Sequence, residues 1–211
     1  MVICYYSEIN KQWSESELEE KLKLLPEPLQ IEAKRKKHWT DQQLSITGKL
    51  LLKELIVGLK ASQLSLADIK YTDYNRPGLD SSIDFNIAHS GSFVICCGTD
   101  TGSIGVDIEL IKPIELDDYI DYFTSAEWRF IRDSENQSDR FFECWTRKEA
   151  VVKALGTGLH TPLSTFDILN DRVIYNDISY YIQKLIIAKD YQCNLVSTEP
   201  IAKVDYKQIQ F

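Results

Sequence analysis

The chain has 211 residues, of which 44% are hydrophobic and 27% charged, and its formal net charge is −8. This composition is ordinary for a soluble globular protein and favours a folded core over disorder. The negative net charge argues against a general nucleic-acid-binding surface. No apolar run approaches the roughly 18 residues that a membrane span needs, and the apolar N-terminal run is too short for a secretory leader.

The first 60 residues predict one strand and three helical segments. Ser14 is a suitable helix N-cap, and Glu17 three residues later completes a capping box. Asp41 begins a longer amphipathic helix whose leucines share one face. The predicted elements are a strand over 1–6, a helix over 15–25, a basic helical stretch over 34–38 and a helix over 41–60.

The rest of the chain alternates between β-rich and helical segments. Strands are predicted over 85–89, 93–98 and 103–110, and helices near 116–133 and over 138–155. The second helix is expected to end at Gly156, a natural C′ residue. Further β-branched and aromatic runs cover 166–169, 173–175, 178–188 and 192–196. This order predicts an α+β fold with antiparallel hairpins.

The cysteines number five, and no C-x-x-C pair occurs among them. An odd number without a metal-binding or redox spacing favours buried free thiols in a reducing compartment. We therefore expect a cytoplasmic protein, and we expect it to be a monomer.

The strand Gly105–Leu110 contains two acidic residues, Asp107 and Glu109, separated by one position. Alternate side chains of a strand share a face, so the two carboxylates are expected to lie side by side. Neighbouring carboxylates repel unless a cation or proton lies between them, and their oxygens suit Mg²⁺. The simpler alternative is an exposed strand face with two solvated acids.

The helix over 138–155 carries Trp145, Glu149 and Lys153 along one stripe, with Lys148 beside it. A glutamate and a lysine at this spacing most often form a surface ion pair. The many apolar neighbours indicate instead that the helix is substantially buried, where solvated charges are harder to place.

The segment Asn86–Gly91 places His89 at a strand end, immediately before a Ser-Gly turn. A histidine in this position can bind a phosphate group. The alternative is a turn histidine that hydrogen-bonds only to the backbone.

Taken together and in this order, the three segments resemble the 4′-phosphopantetheinyl transferase superfamily, in particular its larger two-lobed type. That family pairs a G-[IV]-D-x-E strand with a downstream W-x-x-K-E-[AS]-x-x-K helix. The upstream F-N-[IV]-S-H-[ST] pattern fits residues 85–90, except that Ala88 replaces the usual serine. Two shorter patterns match residues 75–77 and 123–127, and the resemblance covers about residues 28–170.

The resemblance implies an enzyme that moves phosphopantetheine from coenzyme A onto a serine of an acyl, polyketide or peptidyl carrier protein. It implies a Mg²⁺ ion held by Asp107, Glu109 and Glu149, and coenzyme A contacts from Arg76, His89, Lys148 and Lys153. Glu149 or a metal-bound water would take the serine proton, and Lys153 would assist the transfer.

One departure from the family concerns a helix arginine that usually reaches the nucleotide. The matching region, 41–48, has no arginine. The basic residues Lys34 and Lys37 could compensate or could dock an acidic carrier protein; otherwise they form a solvated helix face.

The resemblance also implies two similar α/β lobes related by pseudo-twofold symmetry, over 1–104 and 105–211, with coenzyme A in the cleft between them. Two alternatives remain. One is a non-catalytic coenzyme A-binding or interaction module of the same fold. The other is a different magnesium-dependent phosphate-transfer enzyme, although the sequence lacks a G-x-x-x-x-G-K-[ST] phosphate loop.

Overall fold

A computed structural model describes residues 1–79 and 83–211 and has the predicted α+β class. The helices are α1 (Glu15–Leu22), α2 (Glu27–Lys34), α3 (Trp39–Gly58), α4 (Ser125–Arg132) and α5 (Gln137–Leu155). The strands are β1 (Val2–Glu8), β2 (Ile69–Tyr71), β3 (Pro77–Leu79), β4 (Asp84–Ser90), β5 (Phe93–Thr99), β6 (Ile104–Leu110), β7 (Arg172–Tyr175), β8 (Ile178–Lys184), β9 (Tyr191–Ser197) and β10 (Val204–Gln208). Within the described ranges, no helix is both long and apolar enough to cross a membrane.

The two four-stranded sheets share a connectivity. In the first, β1 leads into the long helix α3, and the later hairpin β4–β5 returns so that β5 pairs antiparallel with β1. In the second, β6 leads into α5, and the hairpin β8–β9 returns so that β9 pairs antiparallel with β6. The repeated order of strand, helix and hairpin agrees with two similar lobes.

The C-terminal strand β10 belongs to the first sheet, where it pairs parallel with β1. The chain therefore returns to its N-terminal half after completing the second sheet. The division into two lobes between residues 104 and 105 stays a prediction. With that division, β10 would be a strand of the second lobe that pairs in the sheet of the first.

The sequence placed most elements within a few residues. The capping box of Ser14 and Glu17 is present, and α5 ends at Gly156 in the left-handed conformation with φ of 76°. Three expectations were wrong. The basic stretch 34–38 mostly links α2 to α3, residues 116–122 form a 3-10 helix, and residues 166–169 form no strand.

The edge strands β4 and β6 join the two lobes through side chains rather than through a backbone ladder. Side-chain oxygens of β4 accept hydrogen bonds from amides of β6: Asp84 from Ile104 (2.7 Å), Asn86 from Val106 (3.0 Å) and Ser90 from Leu110 (3.1 Å). Ala88 occupies the remaining position of this series, and its methyl group offers no acceptor to Ile108. The departure from the family pattern at Ala88 thus interrupts the seam between the lobes.

All five cysteines are buried, as predicted, but they are not all free. Cys4 and Cys97 lie opposite each other on β1 and β5 and form a disulfide. The free thiols are Cys96, Cys144 and Cys193. The prediction of free thiols was therefore wrong for two of the five, because the strand register brings residues 93 positions apart into contact.

Candidate active site

Asp107 is the centre of an acidic cluster on β6. Its side chain is 7% exposed, and Oδ1 accepts a hydrogen bond from Lys153 Nζ at 2.6 Å. Its other oxygen, Oδ2, is buried and has no hydrogen-bond partner among the described residues. Glu109 is on the same face and accepts a hydrogen bond from the Ser90 hydroxyl at 2.6 Å. The strand pattern predicted from sequence therefore brings both acids together.

Helix α5 brings Glu149 and Lys153 to this cluster because it packs closely on β6. A side chain at Gly105 could not fit beneath the helix: an added Cβ would lie 2.1 Å from the Ala150 carbonyl oxygen. Lys153 makes its ion pair with Asp107 and not, as the surface-pair alternative required, with Glu149. The residues thus belong to one site rather than to a solvated helix face.

The cluster holds more negative charge than its one ammonium neutralises. The pKa of Asp107 is raised to about 7, mainly because the carboxyl is buried; Lys153 opposes this rise, and the nearby Glu109 and Glu149 contribute to it. Burial also raises the pKa of Glu149. For Lys153, burial lowers the pKa, but Asp107, Glu149 and Glu109 outweigh it and the net direction is upward.

The donor chemistry of this cluster fits a divalent cation. Besides Asp107 Oδ2, the side-chain oxygen of Asn194, directly opposite on β9, is buried without a partner in the described residues. Carboxylate oxygens are the ligands that Mg²⁺ prefers. In the described part of the chain no three acidic, histidine or cysteine side chains already converge as a metal-binding group, and the Lys153 ammonium supplies the positive charge against Asp107.

A pocket lined by side chains of both charges lies beside the acidic cluster. It has a volume of about 440 Å³, and its lining includes His89 from β4, Lys36 and Lys49. The same lining contains two acids, Glu32 and Asp41. The sequence singled out His89 and the basic stretch that contains Lys36, but it did not indicate that Lys36 and Lys49 line one pocket with His89. Gly48 lets α3 pack closely against Ile87 of β4, and Lys49 is the next residue along the helix. This glycine is the sequence feature that could have indicated Lys49.

The charge state of His89 depends on both the pocket and the acidic cluster. The ring is exposed to the pocket, yet the surrounding protein mass desolvates it, and this desolvation is the largest effect lowering its pKa. Lys153 and Lys36 lower the pKa further, whereas Asp41 and Glu109 raise it. His89 is therefore electrostatically connected to the residues around Asp107.

Lys148 does not lie in this site, and its predicted coenzyme A contact needs correction. Its ammonium is fully buried, pairs with the equally buried Glu127 at 2.9 Å, and donates to the carbonyl oxygens of Leu163 (2.7 Å) and Phe166 (2.8 Å). These three acceptors use its three protons. Glu127 also caps α4 by accepting a hydrogen bond from the Thr124 amide. Lys148 therefore links α5 to α4 in the buried interior of the second lobe.

Arg76, which was expected to contact coenzyme A, is bound instead by groups of the protein. Its guanidinium makes a bidentate ion pair with Asp84, with both distances 2.8 Å. It also donates to the carbonyl oxygens of Lys153 (3.1 Å) and Ile104 (3.0 Å). The Arg76 guanidinium thus donates its hydrogen bonds to protein acceptors in both lobes.

The two basic residues proposed as compensation lie away from His89. Lys34 ends α2 and forms an exposed ion pair with Glu19 at 3.5 Å. Lys37 is exposed on the link between α2 and α3. Lys36 is the member of this basic stretch that lines the pocket, and Lys49 of α3 lines it as well, 4.0 Å from the Glu32 carboxylate.

Comparison with known proteins gives two adjoining family matches. The profile described as 4′-phosphopantetheinyl transferase superfamily matches residues 103–202, and the profile described as 4′-phosphopantetheinyl transferase, N-terminal, matches residues 11–101. The boundary between the two matches coincides with the turn that joins β5 to β6.

Curated relatives carry the same name. The chain is 34% identical to the 4′-phosphopantetheinyl transferase Sfp of Bacillus subtilis, over 62% of this chain and 60% of that protein. It is 29% identical to gsp of Aneurinibacillus migulanus, over 74% of this chain and 69% of that protein. A Haemophilus influenzae protein provisionally named for the same transferase is 30% identical, over 73% of this chain and 68% of its own length. The chain thus matches less than two thirds of the length of Sfp.

The two family matches together span both lobes, and the G-V-D-I-E strand and W-T-R-K-E-A-V-V-K helix meet at one acidic site. We conclude that this chain belongs to the 4′-phosphopantetheinyl transferase superfamily and is of its larger, Sfp-like type.

Proposed function

We propose that the chain transfers 4′-phosphopantetheine from coenzyme A to a serine of an apo carrier protein. The serine oxygen forms a bond to the phosphorus that carries pantetheine, and the bridging bond of the pyrophosphate breaks. Adenosine 3′,5′-bisphosphate leaves with the electron pair of that bond. The acceptor is a carrier of the acyl, polyketide or peptidyl class, and coenzyme A is the donor.

The observation that supports this proposal is that the acidic cluster around Asp107 adjoins a pocket whose lining includes His89, Lys36 and Lys49. The substrate is itself divided in this way, because a pyrophosphate needs a divalent cation and a 3′-phosphate needs basic side chains. Lys153 pairs with Asp107 and also lowers the pKa of His89, so the cluster and the pocket are neighbours. This proximity supports the binding of one ligand that has both a pyrophosphate and a 3′-phosphate.

Each residue has a role that follows from its charge. Asp107, Glu109 and Glu149 would hold Mg²⁺, which when bound supplies charge neutralisation at the pyrophosphate. Lys153 would neutralise charge that develops on the leaving oxygen, and phosphoryl transfer needs little beyond such positioning and stabilisation. Glu149, whose pKa is raised by burial, is the side chain suited to take the serine proton.

A cytoplasmic location and a monomeric state remain part of this proposal. A thiol titration of the denatured protein tests the disulfide seen in the structure. We expect three reactive thiols, and five would show that Cys4 and Cys97 are reduced in the isolated protein.

Removal of divalent cations should abolish transfer. We expect EDTA to stop turnover and Mg²⁺ or Mn²⁺ to restore it, because both ions prefer oxygen ligands. The measurement is carrier modification at constant coenzyme A with increasing metal. Full turnover in excess EDTA would contradict the metal assignment.

Isothermal titration of coenzyme A with and without Mg²⁺ separates a binding module from an enzyme, since a module binds without turnover.

His89→Ala should weaken coenzyme A selectively. A hydrogen bond to a charged group contributes about 1.5–3 kcal/mol, or roughly ten- to 150-fold in affinity. We expect the KM for coenzyme A to rise by that order and the KM for dephospho-coenzyme A, which lacks the 3′-phosphate, to change little. An equal rise for both substrates would identify His89 as a turn or packing residue.

The same contact predicts a pH dependence. The pKa of free His89 is lowered from its usual 6.5, and a bound phosphate favours the imidazolium, so the bound pKa is higher. Binding therefore takes up a proton, and affinity for coenzyme A should fall as pH rises from the free to the bound pKa. His89→Ala should flatten this dependence in a plot of KM against pH. An unchanged slope in the variant would assign the titration to a group other than His89.

A further inference from the structure

Arg76 reaches across the seam between the two sheets. It lies in the turn between β2 and β3, and its ion pair with Asp84 is at the start of β4. Asp84 in turn accepts the Ile104 amide at 2.7 Å, and Arg76 donates to the Ile104 carbonyl oxygen at 3.0 Å. The pair Arg76–Asp84 therefore holds both backbone polar groups of the first residue of β6.

The same guanidinium also holds the end of α5. Its Nε donates at 3.1 Å to the carbonyl oxygen of Lys153, one of the last four carbonyls that a helix leaves without an internal partner. A cation at this end also interacts favourably with the helix dipole. Arg76 thus ties the backbone of Lys153, whose ammonium pairs with Asp107, to the start of the strand that carries Asp107.

Local structure on both sides prepares this contact. Arg76 is oriented by a tight turn in which its amide donates to the Thr72 hydroxyl at 3.1 Å and Asn75 adopts φ of 58°. At the other side, Gly156 ends α5 in the left-handed conformation, and a Cβ there would approach Arg76 Cδ to 3.1 Å. The absence of a side chain at residue 156 thus leaves room for the arginine stem.

We propose that Arg76, with Asp84, is a positioning clamp that fixes the C-terminal turn of α5 and Lys153 over β6, and that it is not a ligand of coenzyme A. The inference rests on the proposed transfer reaction for its kinetic consequence, but the clamp itself is a property of the free protein. Lysine cannot replace arginine here, because one ammonium cannot reach the Asp84 carboxylate and the two carbonyls as a planar fork does.

The test compares Arg76→Lys and Asp84→Asn with the control Arg132→Lys, which alters an exposed ion pair to Asp117. Each protein is assayed with coenzyme A and with dephospho-coenzyme A. A misplacement of about 1 Å at a reacting group can cost about 10²-fold in rate. We expect kcat to fall by about that factor for both substrates in both clamp variants. The ratio of the two KM values should stay as in the unaltered protein, and Arg132→Lys should change neither quantity.

Hydrogen exchange of the free protein gives a second readout that does not depend on activity. We expect amides of residues 150–157 to lose protection in Arg76→Lys and Asp84→Asn, while the first turns of α5 keep theirs. A rise in KM for coenzyme A alone would make Arg76 a 3′-phosphate ligand and overturn the clamp. Unchanged exchange in both variants would overturn it as well. If the unaltered chain modifies no carrier, the proposed function fails, and the exchange data still decide whether the clamp exists.

Discussion

Glu149→Gln should lower kcat roughly 10²–10⁴-fold, the usual contribution of a general base, while leaving the protein folded. The change keeps the size of the side chain and removes its charge, so it removes both proton acceptance and metal binding. Glu149 is half-buried on α5 beside Lys153, and burial raises its pKa toward the range useful for a base. The measurement is steady-state carrier modification at saturating coenzyme A and Mg²⁺.

A matched control is Glu143→Gln on the same helix, since Glu143 pairs with Arg140 away from the acidic cluster. We expect this control to keep kcat within twofold and to cost at most about 1 kcal/mol of unfolding free energy, the upper end for a solvent-accessible pair. If Glu149→Gln behaved like this control, with normal kcat and a small stability loss, Glu149 would have no role as a base or a metal ligand.

Lys148→Met should destabilise the protein by about 3–5 kcal/mol, because it leaves the Glu127 carboxylate buried without its cation. Both side chains are completely buried, and the pair is 2.9 Å long. Denaturant unfolding monitored by tryptophan fluorescence gives the free energy of unfolding. The double variant Lys148→Met with Glu127→Leu should recover much of the loss, since an apolar pair can replace a buried ion pair.

The kinetic outcome of the same variant separates structure from binding. At a temperature where Lys148→Met is folded, its KM for coenzyme A should be close to that of the unaltered chain. A variant with normal stability and a raised KM would restore the coenzyme A contact that the sequence motif implied and would contradict the structural role.

The juxtaposition of the acidic residues could be predicted from the sequence because it depends on local periodicity. Alternation along β6 places Asp107 and Glu109 on one face, and helical spacing places Glu149 and Lys153 on one stripe. Neither pattern could say that Lys148, one residue from Glu149, points into the core toward Glu127. A residue type at a motif position does not fix which side of a buried helix it faces.

Long-range pairings were the part that sequence reasoning could not supply. Arg76 matched a short motif, but its partners Asp84 and Lys153 become visible only when the lobes are assembled. Similarly, Lys49 comes into the His89 pocket because α3 packs on β4. The pairing of β10 with β1 is of the same kind, since strand pairing is set by topology rather than by local pattern.

Intact-mass analysis of apo carrier proteins tests the central claim most directly. Carriers of the acyl, polyketide and peptidyl classes are incubated with the chain, coenzyme A and Mg²⁺, and parallel reactions contain EDTA or the Asp107→Asn variant. The account predicts that at least one carrier gains the mass of one phosphopantetheine group on its serine, and that both controls leave it unmodified. Binding of coenzyme A without any mass change across the whole panel would contradict the account and favour a non-catalytic module.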